Sequence, residues 1–264
     1  MYKTILAIGA FALAGAANAS PLISDTSQDG DNTALQCLFN GASYADSCAG
    51  AGDGWITSGD ALDPNAEAVT SAKWQIGATQ QAASSFVIAI AGNAGSNTFG
   101  IYDPADPSQR VEIYGGGDDP LDRRAVTVSS WDGGWLFEVT DTTPGSDGDK
   151  QSSIFSSSSF GFYLDGPGGT FFSDADLNGG YDQMVAFQGG GRQADFYGQG
   201  TSSNWLSNEW ILAWEDMPYA NSDQDFNDLV VLVESVTPVP APAALALLGA
   251  GLLGLGFVRR RARV

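Results

Sequence analysis

Hydrophobic and polar residues alternate along most of the chain in short runs. The clearest are SFVIAIAG, NTFGIYD, RVEIYG, AVTVSSW, WLFEVT, SFGFYLDG, GTFFS, MVAFQG, EWILAWE and DLVVLVE. A period of two sends successive side chains to opposite faces of a strand. Trp135, Phe137 and Val139 thereby share one face, with Leu136, Glu138 and Thr140 on the other. Phe160, Phe162 and Leu164 form a second such set, and Trp210, Leu212 and Trp214 a third. Clusters of Gly, Asp, Ser and Pro separate the runs, at GGGDDP, TPGSDGD, LDGPGG and LNGGYD, and these are turn-forming compositions. NTALQCLF predicts one short helix; no long amphipathic helix is expected. The pattern predicts an all-β fold, a single β-sandwich or jelly-roll-like domain over residues 33–236. Trp210 and Trp214 belong in its core. The large area a Trp buries puts Trp131 and Trp135 there too, although both flank a DGG turn where an exposed ring would make a platform for a sugar.

The two ends break this rhythm. MYK carries one positive charge, ILAIGAFALAGA is apolar, and Ala17-Asn18-Ala19 closes the segment with small residues. The apolar part is shorter than the roughly 18 residues a membrane span needs. It predicts a signal peptide over 1–19, cut by signal peptidase between Ala19 and Ser20 after export through the Sec pathway. A linker over 20–32 follows. At the other end lie a Pro-rich linker at 237–242, a Gly/Ala/Leu span at 243–258 and a basic tail at 259–264. The arginines would stay cytoplasmic while the domain lies outside. These residues resemble the PEP-CTERM sorting signal in a Pro-Ala-Pro variant. Pro240, Ala241 and Pro242 stand in place of the usual Pro-Glu-Pro, ahead of the span and of Arg259, Arg260 and Arg261. The resemblance implies processing by exosortase, a membrane transpeptidase that cuts near the tripeptide. The inner membrane would then hold the chain only transiently, before it reaches the cell surface or the extracellular matrix of a biofilm.

Charge narrows the list of partners. The chain carries 11 basic and 31 acidic residues, and five of the basic ones lie in the two end segments. Between them six basic residues face all 31 acids, a balance of −25. Nucleic acid is excluded as a partner, because phosphate binding requires Lys and Arg. Such a field favours cations instead. Cys37 and Cys48 are the two cysteines, and in an exported chain such a pair predicts a disulfide.

Histidine is absent, which removes Ser-His-Asp and Cys-His catalysis and His-ligated zinc. No P-loop is present, and the GGG runs lack the strand-to-helix setting of a dinucleotide site. Carboxylates remain. Asp174, Asp176 and Asn178 recur at a spacing of two; Glu215 and Asp216 stand in WED; Asp223, Asp225, Asn227 and Asp228 crowd into DQDFND. Oxygen-rich sets of this kind suit calcium, which takes 6–8 oxygen ligands. An EF-hand is excluded, because Asp228 occupies the loop position that requires Gly and LVVLV continues as a strand. The ion would sit on loops at the end of a sheet. In the alternative, Asp225 and Asn227 cap the loop backbone in an Asx turn without metal.

FGIYD, FGFYLDG, GTFFSDADLN and above all WEDMPYANSDQDFNDLVVLVE resemble the secreted bacterial domain-of-unknown-function family numbered forty-one fourteen, over roughly 86–236. The resemblance implies a β-rich exported module often carried with PEP-CTERM tails. It brings no established activity, and fold does not give function. The expectation is a non-enzymatic, calcium-stabilised matrix protein that contacts anionic exopolysaccharide. The alternatives are a carbohydrate-active enzyme using paired carboxylates and a passive structural matrix protein.

Overall fold

The computed structural model describes residues 23–24, 34–41, 43, 48, 53–77, 80–88, 94–119, 122–196 and 200–240. The signal-cleavage pair Ala19 and Ser20, the sorting residues Ala241 and Pro242, the span at 243–258 and Arg259, Arg260 and Arg261 lie outside them. Among the described residues no helix is long and apolar enough to cross a membrane.

In chain order the elements are α1 (Leu35–Asn40), β1 (Ile56–Ser58), α2 (Pro64–Glu67), β2 (Trp74–Ile76), β3 (Gln81–Ile88), β4 (Thr98–Asp103), β5 (Asp106–Tyr114), β6 (Arg123–Trp131), β7 (Gly134–Asp141) and β8 (Lys150–Phe155). They continue with β9 (Ser159–Gly166), β10 (Gly169–Phe172), β11 (Met184–Gln188), β12 (Gln193–Ala194), β13 (Ser203–Asn204), β14 (Glu209–Trp214), β15 (Leu229–Glu234) and β16 (Val236–Pro238). The chain is mostly β, as the alternation predicts, and the strands pair antiparallel. One sheet has the order β11-β14-β15-β3-β6-β7-β8; a second has β16-β2-β9-β4-β5, with β10 also on β9; a small third sheet is β1-β12-β13.

The two larger sheets bury one apolar cluster. The first sheet supplies Val126, Val128, Phe137, Val139, Met184, Trp210, Leu212, Trp214, Val231 and Val233. From the second come Trp74, Phe99, Ile101, Val111, Phe160, Phe162 and Leu164. The three sets of alternate residues read from the sequence all face this core, with Trp135 packed at its margin.

Strands β11, β14 and β15 are covered on their second face too. Val185, Phe187, Ile211, Ala213 and Val230 meet Leu35, Leu38 and Phe39 of α1, together with Leu62, Ala194, Phe196 and Trp205. Burial on both faces explains why EWILAW and LVVLV are near-continuous apolar runs. A disulfide joins Cys37 of α1 to Cys48, and closing a loop of that size stabilises by about 3 kcal/mol on the chain-entropy model.

Two boundaries differ from those read in the sequence. Ile23, inside the expected linker, is buried in the second cluster and exchanges hydrogen bonds with the Asn65 amide. At the far end β16 pairs with β2 through Val236, Thr237 and Pro238, so the fold runs past 236 into the expected linker. Pro238 is tolerated because β16 is an edge strand, where a missing N–H costs no ladder bond.

The repeated Phe-Gly-x-Tyr motif is explained by register. Strands β4 and β9 pair so that Gly100 lies opposite Tyr163 and Tyr102 opposite Gly161. Each Tyr ring folds over the partner glycine. A Cβ on Gly161 would run into the Tyr102 ring, and one on Gly100 would meet the Tyr163 ring and the Val111 carbonyl. Arg110 lies 5.1 Å above both Tyr163 and Phe172, capping this aromatic group on the outer face with a cation–π contact.

Candidate metal centre

Strand β14 ends at Trp214 and β15 begins opposite it at Leu229. Residues 215–228, which connect them, carry six of the nine predicted ligands. The base of this loop is held on two sides. Asp228 N–H donates to the Trp214 carbonyl (3.1 Å) and Glu215 N–H to the Gln183 carbonyl (3.1 Å). The Gln183 amide donates to the Met217 carbonyl at 2.6 Å, and the ring of Tyr219 stacks on Tyr181 at 4.8 Å.

Within DQDFND the backbone is unusual. Gln224 (φ 64°) and Phe226 (φ 55°) are both left-handed, a conformation that costs a non-glycine residue about 1–2 kcal/mol. Two compensations hold it. The Phe226 ring is fully buried in the second cluster, and the Gln224 carbonyl accepts Ser24 N–H at 2.7 Å. Anchoring Phe226 turns its neighbours inward, and Asp225 and Asn227 are 0 % exposed.

Three carboxylates converge. Glu215, Asp223 and Asp225 each offer an oxygen within 4.8 Å of the others. That limit is twice the roughly 2.4 Å of a calcium–oxygen bond, so the three can sit on one coordination shell. Glu215 is fully buried. Its Oε1 accepts Phe226 N–H at 2.6 Å, while its Oε2 has no hydrogen-bond partner among the described residues. Burial is the main force pushing its pKa from 4.5 to about 7. The Phe226 N–H and the nearby Ser222 hydroxyl pull it down, and Asp223 and Asp216 push it up. A buried carboxylate in this position needs either a proton or a cation.

The other predicted ligands are engaged in holding the backbone. Asp225 accepts Asn227 N–H (3.2 Å) and the Asn227 amide (2.8 Å), so the Asx turn forms and Asp225 still reaches the triad. Asp228 accepts Asp216 N–H at 2.8 Å, and Asp216 accepts the Asn97 amide at 2.8 Å. Asp174 caps the 3-10 turn Ala175–Asn178 by accepting Asp176 N–H. Asn178 brackets Phe172 through its N–H and carbonyl and also donates to the Tyr181 carbonyl. Asp174, Asp176 and Asn178 are not in the converging group. Sequence reasoning missed Asn97, Gln183 and Phe226; only Phe226, a large apolar residue inside an acidic turn, carried a visible signal.

Trp131 departs from its expected core position. It is 56 % exposed, because it is the last residue of β6 before the Asp132-Gly133 turn and lies opposite Gly134.

Residues 134–236 match the model of a domain of unknown function, DUF4114. The match contains the whole 215–228 loop but starts at β7, later than the resemblance from 86 suggests, and leaves FGIYD outside. No curated protein and no solved structure matches the chain.

Proposed function

We propose that this chain is an exported, non-enzymatic β module whose 215–228 loop is ordered by calcium held between Glu215, Asp223 and Asp225. The observation that carries the reading is the convergence of these three carboxylates around the buried, unpartnered Oε2 of Glu215. A calcium ion bound there would bring charge to neutralise the carboxylates and offset the strain at Gln224 and Phe226. The two large sheets are read as a β-sandwich of jelly-roll kind, and the DUF4114 match as marking a member of that family. The charged N-terminal segment, the Pro-Ala-Pro tail and its arginines support Sec export and exosortase sorting. Delivery is then to the cell surface or extracellular matrix, where the acidic module meets exopolysaccharide.

The closely spaced carboxylates and the raised pKa of Glu215 are also what a glycoside-cleaving acid and its partner require. Against this stands access. Glu215 and Asp225 are 0 % exposed, and a polymer has no route to them.

Thermal unfolding in calcium and in chelator tests the metal. At a calcium concentration one hundred times Kd, binding adds about 2.7 kcal/mol, or roughly 5–10 °C for a domain this size. Asp225→Ala abolishes the increase, and Asp223→Asn, at a half-buried position, reduces it. Equal melting of the wild-type chain in the two buffers overturns the reading.

A further inference from the structure

We propose that the outer face of β6, β7 and β8, centred on Trp131, is a platform for a polysaccharide chain. This rests on the matrix reading above and names the surface that makes the contact. All seven tryptophans are described, and Trp131 is the exposed one; the others are buried or half-buried. Its place follows from the hairpin. Asp132 (φ 40°) and Gly133 (φ 81°) form a two-residue turn, the Asp-Gly type that matches strand twist. Inward positions carry Val126, Val128, Phe137 and Val139, which leaves Thr127, Ser129 and Trp131 on the outer face of β6. Register sets Ser129 beside Leu136 and Ile154, and Trp131 beside Gly134.

Gly134 has no side chain to cover the indole. Ile154 leans over that glycine, since a Cβ there would come within 2.8 Å of its Cγ2. The result is a flat strip about 10 Å wide, from three strands spaced roughly 4.8 Å apart. Trp131, Leu136 and Ile154 provide its apolar part, and Thr127, Ser129, Thr140 and Ser152 its hydroxyls.

Charge selects the occupant. The outward positions of these strands hold three charges, Arg123, Glu138 and Lys150, and the exposed Asp132 sits in the turn beside Trp131; Glu138 and Lys150 pair with each other at 2.7 Å. On a chain balanced at −25 between its end segments, two basic and two acidic groups leave this face with no net charge, so a neutral or anionic polymer meets less repulsion here than the chain's overall charge would give. Ring faces for sugar C–H groups beside hydroxyls suit a glycan. A protein partner needs about 800 Å² per side, more than one exposed Trp, one exposed Ile and a half-buried Leu supply.

The test is electrophoresis of the full chain through native gels cast with hydroxyethylcellulose, dextran or alginate. Retardation in at least one polymer is expected. Trp131→Ala weakens it about tenfold or more, as loss of an aromatic anchor does, while Trp131→Tyr keeps most of it and neither variant changes Tm. Retardation of Trp131→Ala equal to wild type overturns the platform while leaving polysaccharide binding in place. Failure of the wild-type chain to be retarded by any polymer overturns the matrix reading and the platform with it. A wild-type dimer in sedimentation that Trp131→Ala dissociates overturns the platform in favour of a second copy.

Discussion

Glu215→Gln isolates the charge at the candidate centre. The substitution keeps the shape of the side chain and an oxygen to accept Phe226 N–H, and removes the carboxylate. Burial moves the Glu215 pKa from 4.5 to about 7, equivalent to about 3 kcal/mol. The folded state therefore holds a proton that the unfolded chain releases between those two values. Stability falls as pH rises through that window and stays lower above it. In chelator at pH 8, E215Q is expected to be more stable than the wild-type chain by up to about 3 kcal/mol, or roughly 5–10 °C in Tm. At pH 4 the two coincide, because the wild-type carboxyl is protonated in both states. Calcium at pH 8 reverses the order: the wild-type chain gains and E215Q does not. Circular-dichroism melts at pH 4, 6 and 8, in chelator and in calcium, read both effects. Taking the difference between the two chains cancels the titrating groups that do not interact with Glu215. If E215Q in chelator shows no gain over wild type at pH 8, Glu215 is not a buried ionisable group of the kind described.

Two further perturbations test the frame around the centre. Gly161→Ala pushes a methyl group into the Tyr102 ring and is expected to cost about 1–3 kcal/mol, as overpacking does; urea unfolding measures it, and Tyr102→Ala in the same chain should restore part of the loss. Reduction of the Cys37–Cys48 disulfide should lower stability by about 3 kcal/mol. Melting with and without reductant reads this, and Cys37→Ser should match the reduced wild-type chain.

Strands were legible where burial imposed a pattern. Alternation exposed β7 and β9, and near-continuous apolar runs marked β14 and β15, which are covered on both faces. Strand β8 was missed because Lys150, Gln151 and Ser152 are exposed at an edge and only its end, Phe155, enters the core. The pairs and triplets β1, β2, β12 and β13 are too short to show a period. At the candidate centre, spacing identified the acid-rich segments but not which acids converge. Asp174 and Glu215 look equally available in sequence. One caps a turn, while the other is drawn inside by the end of β14 and the buried Phe226. Left-handed Gln224 and Phe226 carry no glycine to announce them. Trp131 was misread because its exposure depends on Gly134 lying across the hairpin, a matter of register rather than of residue type.

The most direct test of a cation at Glu215, Asp223 and Asp225 is isothermal titration of the full chain with calcium at pH 8. Saturable binding that Asp223→Asn weakens and Glu215→Gln abolishes is the predicted result. A wild-type chain that takes up no calcium at millimolar concentration contradicts it.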